Sequence, residues 1–291
     1  MVSRWALTAS RKWSRCASKR SWICSRRLKV RIGFVQLAPV LGNRQTTIAR
    51  LDRLFASVGA ADLLVLPELC NSGYHFSSRQ QAWETSEEIS DSVFVRYLES
   101  VCAARNLYLV SGLNERDGGD LYNSAVLVGP RGYVGRYRKL HLFMDEKDYF
   151  RPGDGLPVLD IGACRVGMLV CFDWIFPEAW RILALKGADV VCHPANLVLP
   201  FAQRAVPVHA LTNRFYTVTA NRVGQEGDLV FTGCSTIADI QGNVLLQASE
   251  SEERVGVVDV DVALARDKRI TPRNDVLRDR RTDQYELLLR G

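Results

Sequence analysis

The strand-to-helix stretch Val166-Gly-Met-Leu-Val-Cys-Phe-Asp-Trp-Ile-Phe-Pro-Glu178 is the centre of the predicted fold. An apolar run ends in a thiol, Cys171, and Pro177 follows at a position typical of the first turn of a helix. A sulfur beside a helix N-terminus is in an environment that favours the thiolate. Cys171 is therefore a candidate nucleophile, although most single cysteines at the end of a central strand are simply buried.

Strand-like and helix-like patterns alternate on both sides of this stretch. Residues 30–36 alternate apolar with polar or small side chains, as in a half-buried strand, and residues 48–55 repeat apolar side chains on one helical face. Gly129-Pro-Arg-Gly132 joins two strand patterns as a hairpin. Further strands are predicted at 61–66, 107–113, 122–128, 133–138, 158–161, 164–170, 189–193, 216–221, 234–238, 244–247 and 255–260, and helices at 91–105, 177–186 and 204–215. The mixture predicts a layered α/β sandwich rather than a purely parallel sheet.

Length and charge exclude several classes of protein. The chain has 291 residues, of which 47% are hydrophobic, which is enough for one large core. Of the 38 Lys and Arg, eight lie in residues 1–27, so the remainder carries 30 basic against 32 acidic side chains, a net charge of −2. A nucleic-acid partner is therefore not expected. No run approaches the roughly 18 apolar residues of a membrane span, so no membrane association is expected either.

The two ends of the chain differ from its body in composition. Residues 1–28 are rich in Arg and Ser and contain no acidic side chain, which fits a disordered basic leader, an organelle transit peptide or a start codon placed too far upstream. Residues 29–262 form the predicted catalytic domain. Residues 263–291 are highly charged and end in Leu287-Leu-Leu289, which favours an arm that docks at a subunit interface.

The cysteines and histidines give no metal or disulfide signature. The eight cysteines contain no C-x-x-C pair, and none of the four histidines stands at zinc-ligand spacing from them. A chain of this size does not need a disulfide framework, so a reducing compartment such as the cytoplasm is expected.

Three polar residues follow predicted strands: Glu68, Lys139 and Cys171. Sites in open α/β architectures are built at the C-terminal ends of strands. Taken singly, Glu68 fits a helix cap, Lys139 a solvated charge and Cys171 a core residue. Their combination predicts a site that contains an acid, a cation and a thiol.

With these residues in this order, the chain resembles the nitrilase superfamily of carbon–nitrogen hydrolases, whose signature is a Glu-Lys-Cys triad. The resemblance covers about residues 29–280 and is closest to the branch of aliphatic amidases and small-nitrile hydrolases. It rests on six segments in the expected order: LPELCNSGY around Glu68, YRKLHLF around Lys139, EKDYFRPGD from Glu146, GMLVCFDWIFPE around Cys171, HPANLVLP from His193 and NRVG from Asn221.

The resemblance implies an α/β fold with four αββα layers, a dimer or higher homo-oligomer formed through the helices, and no cofactor or metal. It also implies that Cys171 attacks the substrate carbon, that Glu68 is the general base, and that Lys139 and the backbone N–H of Phe172 stabilise the oxyanion. A second glutamate orients the lysine in many members, and Glu146 is the matching position; Asp145 and Asp148 are the rival candidates.

Residues next to the triad are the predicted substrate contacts. They are aromatic or amide side chains on the same segments, and each fits a packing role as well: Tyr74, Phe143, Trp174, Asn196 and Phe201. Cys192 precedes His193-Pro194 and has no matching role in the family, so we interpret it as a buried residue.

The sequence leaves the substrate open among a carboxamide, a nitrile and an N-carbamoyl amine. True nitrilases more often carry Cys-Trp-Glu at the nucleophile, whereas this chain has Cys171-Phe-Asp173, which favours a small aliphatic carboxamide. A binding module without catalysis is the alternative from another class. Loss of a triad residue would mark such a module, and none is lost here.

Overall fold

The structure, a computed structural model, describes residues 29–290, so the predicted leader 1–28 lies outside the described residues. Two six-stranded sheets form its centre. The strands are β1 Lys29–Gln36, β2 Leu63–Val65, β3 Tyr108–Asp117, β4 Asp120–Gly129, β5 Gly132–Arg138, β6 Val158–Asp160, β7 Arg165–Met168, β8 Val190–Ala195, β9 Tyr216–Asn221, β10 Gln225–Glu226, β11 Leu229–Val230, β12 Thr236–Ala238, β13 Val244–Gln247, β14 Arg254–Asp261, β15 Arg269–Thr271 and β16 Asn274–Asp275.

The α-helices are α1 Arg44–Ser57, α2 Arg79–Glu84, α3 Val93–Arg105, α4 Glu146–Tyr149, α5 Pro177–Leu185, α6 Ala202–Asn213 and α7 Ala263–Arg266, and 3₁₀ turns lie at Cys171–Ile175, Thr282–Gln284 and Glu286–Leu289. Local chemistry explains where several of the helices begin. Asn43 caps α1 and Ser92 caps α3 by accepting backbone N–H groups with their side chains. Pro177 occupies the first turn of α5, as its fixed φ predicts.

The first sheet has the order β14-β1-β2-β3-β4-β5. Its outer face packs on α1 and α3 through buried side chains such as Leu51, Phe55, Leu98, Leu64 and Leu109. This outer core exists because each helix carries an apolar stripe at helical spacing.

The second sheet has the order β13-β12-β9-β8-β7-β6 and packs face to face on the first. Ile32 and Val65 of the first sheet and Val190 and Val218 of the second belong to one buried core, which Trp180 of α5 extends to the outer helices. All six residues of β8 are buried because sheet and helices cover both faces. The four layers are therefore helix, sheet, sheet and helix, which confirms the predicted αββα sandwich.

The structure adds elements that the sequence patterns did not reveal. The short helix α2 and the hairpin of β10 and β11 were not predicted, because segments this short carry little periodic signal. The C-terminal arm begins with α7, where Arg266 pairs with Asp189, and Lys268 donates to the carbonyl oxygens of Asn213 and Arg214. Within residues 29–290, no helix is both long and apolar enough to cross a membrane.

Candidate active site

The ends of three strands bring Glu68, Lys139 and Cys171 together. Strand β2 is parallel to β3, and β4 is antiparallel to both β3 and β5, so β2 and β5 end at the same edge of the first sheet. Glu68 follows β2 and Lys139 follows β5. Cys171 follows β7 of the facing sheet and lines a cavity together with Asn196, whose Nδ2 donates to the backbone carbonyl of Glu68. The site therefore lies between the two sheets.

Lys139 is fully buried between two carboxylates. Its Nζ lies 2.7 Å from Glu68 Oε1 and 2.8 Å from Glu146 Oε1. Burial alone lowers the pKa of Lys139, but the charges of Glu146 and Glu68 outweigh burial and raise that pKa above its ordinary value. The ammonium thus stays protonated at neutral pH.

One carboxylate oxygen of Glu68 is hydrogen-bonded and the other has no partner among the described residues. Its Oε1 accepts from Lys139 Nζ and from Asn123 Nδ2, which is 2.7 Å away, and Asn196 Nδ2 donates to its backbone carbonyl over 3.0 Å. Among the described residues, Glu68 Oε2 has no hydrogen-bond partner although it is buried. One oxygen of this carboxylate is therefore able to accept a proton.

Glu146 is the acidic side chain of its segment that reaches Lys139. Asp145 and Asp148 are exposed, whereas Glu146 is buried and also accepts the hydroxyl of Tyr74 over 3.0 Å. Burial raises the pKa of Glu146 to about 7, which Glu68 reinforces and Lys139 opposes. The carboxyl therefore changes its charge near neutral pH.

Cys171 begins the 3₁₀ turn Cys171–Ile175 with a positive φ of 43°. Burial raises the pKa of its thiol well above the ordinary value; the charge of Glu68 adds to this, and Lys139 opposes it. The position in the sequence suggested a thiolate, but helix α5 begins only at Pro177 and desolvation dominates. The resting sulfur is a protonated thiol, so nucleophilic attack needs a base.

Asp173 and His193 fix the turn that carries Cys171, and neither role was predicted. Asp173 Oδ2 accepts from the backbone N–H of Val170 over 2.9 Å and from the Tyr137 hydroxyl over 2.6 Å, while its Oδ1 lies 2.7 Å from His141 Nδ1. The carboxylate thus ties the cysteine turn to the strand that precedes Lys139. The only sequence signal was a polar residue within or beside an apolar run.

A small cavity of about 40 Å³ lies against Cys171 and is lined by Phe143, Phe172, Trp174, Asn196, Leu197, Val198 and Leu199. A second, wider cavity of about 200 Å³ is lined by Tyr74, His75, Phe76, Phe143, Met144, Asp145, Glu146, Tyr149, Phe150, Val198, Asp228 and Leu229. Phe143 and Val198 line both cavities, so the two cavities are adjacent. The space beside the sulfur thus has room for only a few heavy atoms.

Four of the five predicted substrate contacts lie at these cavities: Tyr74, Phe143, Trp174 and Asn196. Phe201 is different, because it precedes α6, is 45% exposed and packs under the guanidinium of Arg204. It lines neither of the two cavities. Cys192 is fully buried in β8, as the sequence suggested.

Comparison with known proteins gives the class of this protein. Residues 31–270 match the model of the carbon-nitrogen hydrolase family. The chain belongs to this family and is a carbon–nitrogen hydrolase of the nitrilase superfamily.

Individual relatives cover nearly the same length. A nitrilase from Pyrococcus abyssi is 48% identical over 88% of this chain and 99% of its own. An (R)-stereoselective amidase from a Pseudomonas species is 36% identical over 80% of this chain and 85% of its own. A mutant of the amidase from Nesterenkonia sp. AN1, which carries the acetamide moiety of fluoroacetamide on its active-site cysteine, superposes with a TM-score of 0.73 at 27% identity, covering 92% of this chain and 99% of that one.

Proposed function

We propose that the protein hydrolyses a small, uncharged aliphatic carboxamide to the carboxylic acid and ammonia through a thioester on Cys171. The observation that carries this proposal is the ammonium of Lys139 held between Glu68 and Glu146 beside a buried thiol. This arrangement supplies a nucleophile, a base and a cation for the oxyanion, which are the groups that amide hydrolysis needs.

In the proposed first half-reaction, Cys171 Sγ attacks the carbonyl carbon while Glu68 Oε2 takes the thiol proton. Lys139 Nζ and the backbone N–H of Phe172, near the start of the 3₁₀ turn, stabilise the tetrahedral oxyanion. The intermediate then collapses, the C–N bond breaks, and Glu68 passes its proton to the leaving ammonia. A thioester remains on Cys171.

In the proposed second half-reaction, Glu68 removes a proton from water, which attacks the thioester carbon. A second tetrahedral oxyanion forms against Lys139, and its collapse breaks the C–S bond and returns the proton to sulfur. Glu146 orients Lys139 throughout, since both carboxylates are needed to hold the ammonium in a buried site. The acid product leaves and the resting thiol is restored.

Two properties of the cavities support a small substrate without a negative charge. A cavity of about 40 Å³ beside Cys171 suits an amide head group and a short substituent. Within the described residues, no Lys or Arg lines either cavity, and the wider cavity is lined by Asp145, Glu146 and Asp228, so a carboxylate on the substrate's substituent would be repelled there.

A small aliphatic nitrile is the second candidate, favoured by the 48% identity to the Pyrococcus abyssi nitrilase. The same thiol would add to the nitrile carbon and form a thioimidate. One water would convert the thioimidate to the thioester with release of ammonia, and a second water would hydrolyse the thioester to the acid and restore the thiol. An N-carbamoyl amine is a third substrate that this chemistry accommodates. All three head groups are small and uncharged at the reacting carbon, so each fits beside Cys171.

The deciding experiment measures ammonia release from matched amides, nitriles and N-carbamoyl amines of equal chain length, with wild type and Cys171→Ala. The proposal is supported if wild type releases ammonia from the amides and Cys171→Ala does not. If wild type releases ammonia from the nitriles only, the assignment moves to the second candidate. No release from any compound would favour a binding module without catalysis. Release that survives in Cys171→Ala would overturn the mechanism.

We also propose that the protein is a homodimer or higher homo-oligomer that associates through α5, α6 and the C-terminal arm. Ile182 and Leu185 of α5 and Val208 and Leu211 of α6 are exposed apolar side chains, and Leu264 adds another on α7. Helices α5 and α6 pack against each other, and exposed apolar side chains on neighbouring helices are typical of an interface.

Light scattering after gel filtration tests the association. Val208→Asp should shift the protein to monomer because it places a charge in the interface. Val244→Asp, at a similarly exposed valine on β13, should leave the size unchanged. A monomeric wild type would contradict the proposal.

We propose a reducing compartment, the cytoplasm, as the location. Cys70, Cys102, Cys164, Cys171, Cys192 and Cys234 are all free thiols in the part of the chain that the structure describes. Fractionation of cells that express the full chain, with the leader 1–27 present or deleted, tests this location against organelle import.

A further inference from the structure

Glu226 is a buried carboxylate that the proposed mechanism does not use. It lies on β10, is 8% exposed, and its Oε1 accepts from Arg222 Nη1 over 3.1 Å. Its Oε2 accepts two consecutive backbone N–H groups, those of Tyr74 at 2.8 Å and His75 at 2.7 Å. The carboxylate therefore fixes the backbone of the loop that carries Tyr74.

The side chain of Tyr74 is held by the same group of residues. The Arg222 guanidinium is buried over the ring of Phe231, 4.1 Å from its centroid, and Phe231 packs edge-on against the ring of Tyr74 at 6.0 Å. We call Arg222, Glu226 and Phe231 the hairpin cluster. It contacts both the backbone and the ring of Tyr74, so it restricts where the tyrosine hydroxyl can lie.

Gly73 shows how closely the two segments approach. Its φ is +83°, and a Cβ at this position would lie 2.8 Å from Glu226 Oε1 and 2.6 Å from Leu41 Cα. Only glycine combines this backbone conformation with that close approach. The loop is thus shaped to bring its amides onto the Glu226 carboxylate.

Tyr74 connects the hairpin cluster to the catalytic group. Its hydroxyl donates to Glu146 Oε1 over 3.0 Å, and the same oxygen accepts Lys139 Nζ over 2.8 Å. Burial and the charge of Glu146 raise the pKa of Tyr74, so the phenol remains a neutral donor. Glu226 thus holds the backbone of Tyr74, and the hydroxyl of the same residue donates to the Glu146 oxygen that accepts from Lys139.

We propose that Glu226 is a positioning residue for the hydrolysis: it holds Tyr74 so that the phenol donates to Glu146 and thereby keeps Lys139 in place beside Cys171. This inference rests on the proposed function, because it assigns Glu146 and Lys139 to the reaction. Glu226 acts through Tyr74, and its carboxylate does not line either cavity. A purely structural carboxylate would stabilise the hairpin without affecting Cys171.

The test compares Glu226→Gln, Tyr74→Phe and the double variant through two measurements. The first is the rate of alkylation of Cys171 by iodoacetamide between pH 6 and 9, followed by mass spectrometry of its peptide. In this reaction Sγ forms a bond to the CH₂ carbon, iodide leaves, and the thiol proton passes to Glu68 or the buffer. The rate reports the charges facing the sulfur, those of Glu68, Lys139 and Glu146, without requiring a known substrate.

We expect each single variant to slow alkylation at pH 7 by about tenfold and to change its pH profile in the same way, because both displace Lys139. The double variant should be no slower than either single variant. A wild-type profile in Glu226→Gln, or effects that multiply in the double variant, would overturn the proposal.

Asp189→Asn is the matched control. Like Glu226, Asp189 is buried, and its carboxylate accepts both a backbone N–H, that of Arg165, and an arginine side chain, that of Arg266. It precedes β8, whereas the site lies at the end of that strand. The variant Asp189→Asn should leave the pH profile of Cys171 alkylation unchanged. If it slowed alkylation as much as Glu226→Gln does, the effect of Glu226→Gln would be one of general stability. If Glu226→Gln does not fold, Glu226→Asp keeps the charge but is one methylene shorter, and it should give the same change in profile at smaller size.

The second measurement is ammonia release by the same variants. Suppose that wild type releases no ammonia but the double variant is alkylated no more slowly than either single variant. The proposed function then fails, while the connection from Glu226 through Tyr74 stands. If wild type is active and Glu226→Gln retains full turnover with an unchanged profile, the positioning role fails alone.

Discussion

His193 Nε2 lies 2.8 Å from the backbone carbonyl oxygen of Cys171. A carbonyl only accepts, so Nε2 carries the proton, and Nδ1 accepts the hydroxyl of Thr219 at 3.1 Å. This hydrogen bond supports the left-handed conformation of Cys171, which is unfavourable for a residue with a side chain. A buried imidazole of the second sheet therefore sets the direction of the nucleophile.

Replacing His193 with Ala should lower turnover by about tenfold or more, because the turn that carries Cys171 loses its support. Burial lowers the pKa of His193 to about 4, so the imidazole is neutral between pH 5 and 9. The shape of the pH–rate profile should therefore stay the same while its height falls. A profile that changes shape would show that His193 exchanges protons. Thr219→Val should have a smaller effect in the same direction.

Glu146 should give the pH–rate profile an acidic limb near pH 7. Burial raises its pKa to about 7, so the carboxyl is mainly protonated below that pH and ionised above it, and only the ionised form pairs with Lys139. Turnover should therefore rise as the pH increases through 7.

Glu146→Gln should remove this limb and lower turnover by about tenfold to a hundredfold, with the fold intact in thermal unfolding. Asp148→Asn changes an exposed acid two residues away and is the control. Unchanged turnover in Glu146→Ala would refute the assignment.

Asp173→Asn should destabilise the protein by about 2–4 kcal/mol and reduce activity, because an amide NH₂ cannot accept the donors that the carboxylate accepts. Tyr137, His141 and the backbone of Val170 all point at this side chain. Urea unfolding measures the loss, and Asp160→Asn, at an exposed acid on β6, should change stability little. Equal stabilities of Asp173→Asn and wild type would contradict this account.

Gly112→Ala should prevent folding or displace Glu68. A Cβ on Gly112 would lie 2.3 Å from Leu69 N and 2.4 Å from Glu68 Cα, and these backbone atoms cannot move aside as a flexible side chain can. Gly119→Ala is the control, since nothing lies within 4 Å of a Cβ there. The soluble yield, the temperature of thermal unfolding and the rate of ammonia release should all fall in Gly112→Ala and stay unchanged in Gly119→Ala. Normal values in Gly112→Ala would show that the strand and the Glu68 loop can separate.

The parts of the fold that the sequence predicted are the longer strands and helices. Strands β4, β5 and β9 and helices α1, α3 and α5 were predicted to within a few residues. The strands are runs of mainly apolar or β-branched residues between turn residues, and the helices repeat apolar side chains at helical spacing. The hairpin of β10 and β11 has two residues per strand and cannot show a period. Glu226 was missed for this reason.

The sequence by itself determined the chemical groups of this protein and their order along the chain: Glu68, Lys139 and Cys171 after strands, in segments that resemble carbon–nitrogen hydrolases. Only the tertiary structure decided which groups meet and in what charge state. It selected Glu146 from three neighbouring acids, moved Phe201 away from the cavities, and gave Cys171 a protonated thiol instead of the thiolate that its position suggested. The physical reason is that pKa and contact depend on burial and on charges from distant segments, and the packing of two sheets sets both.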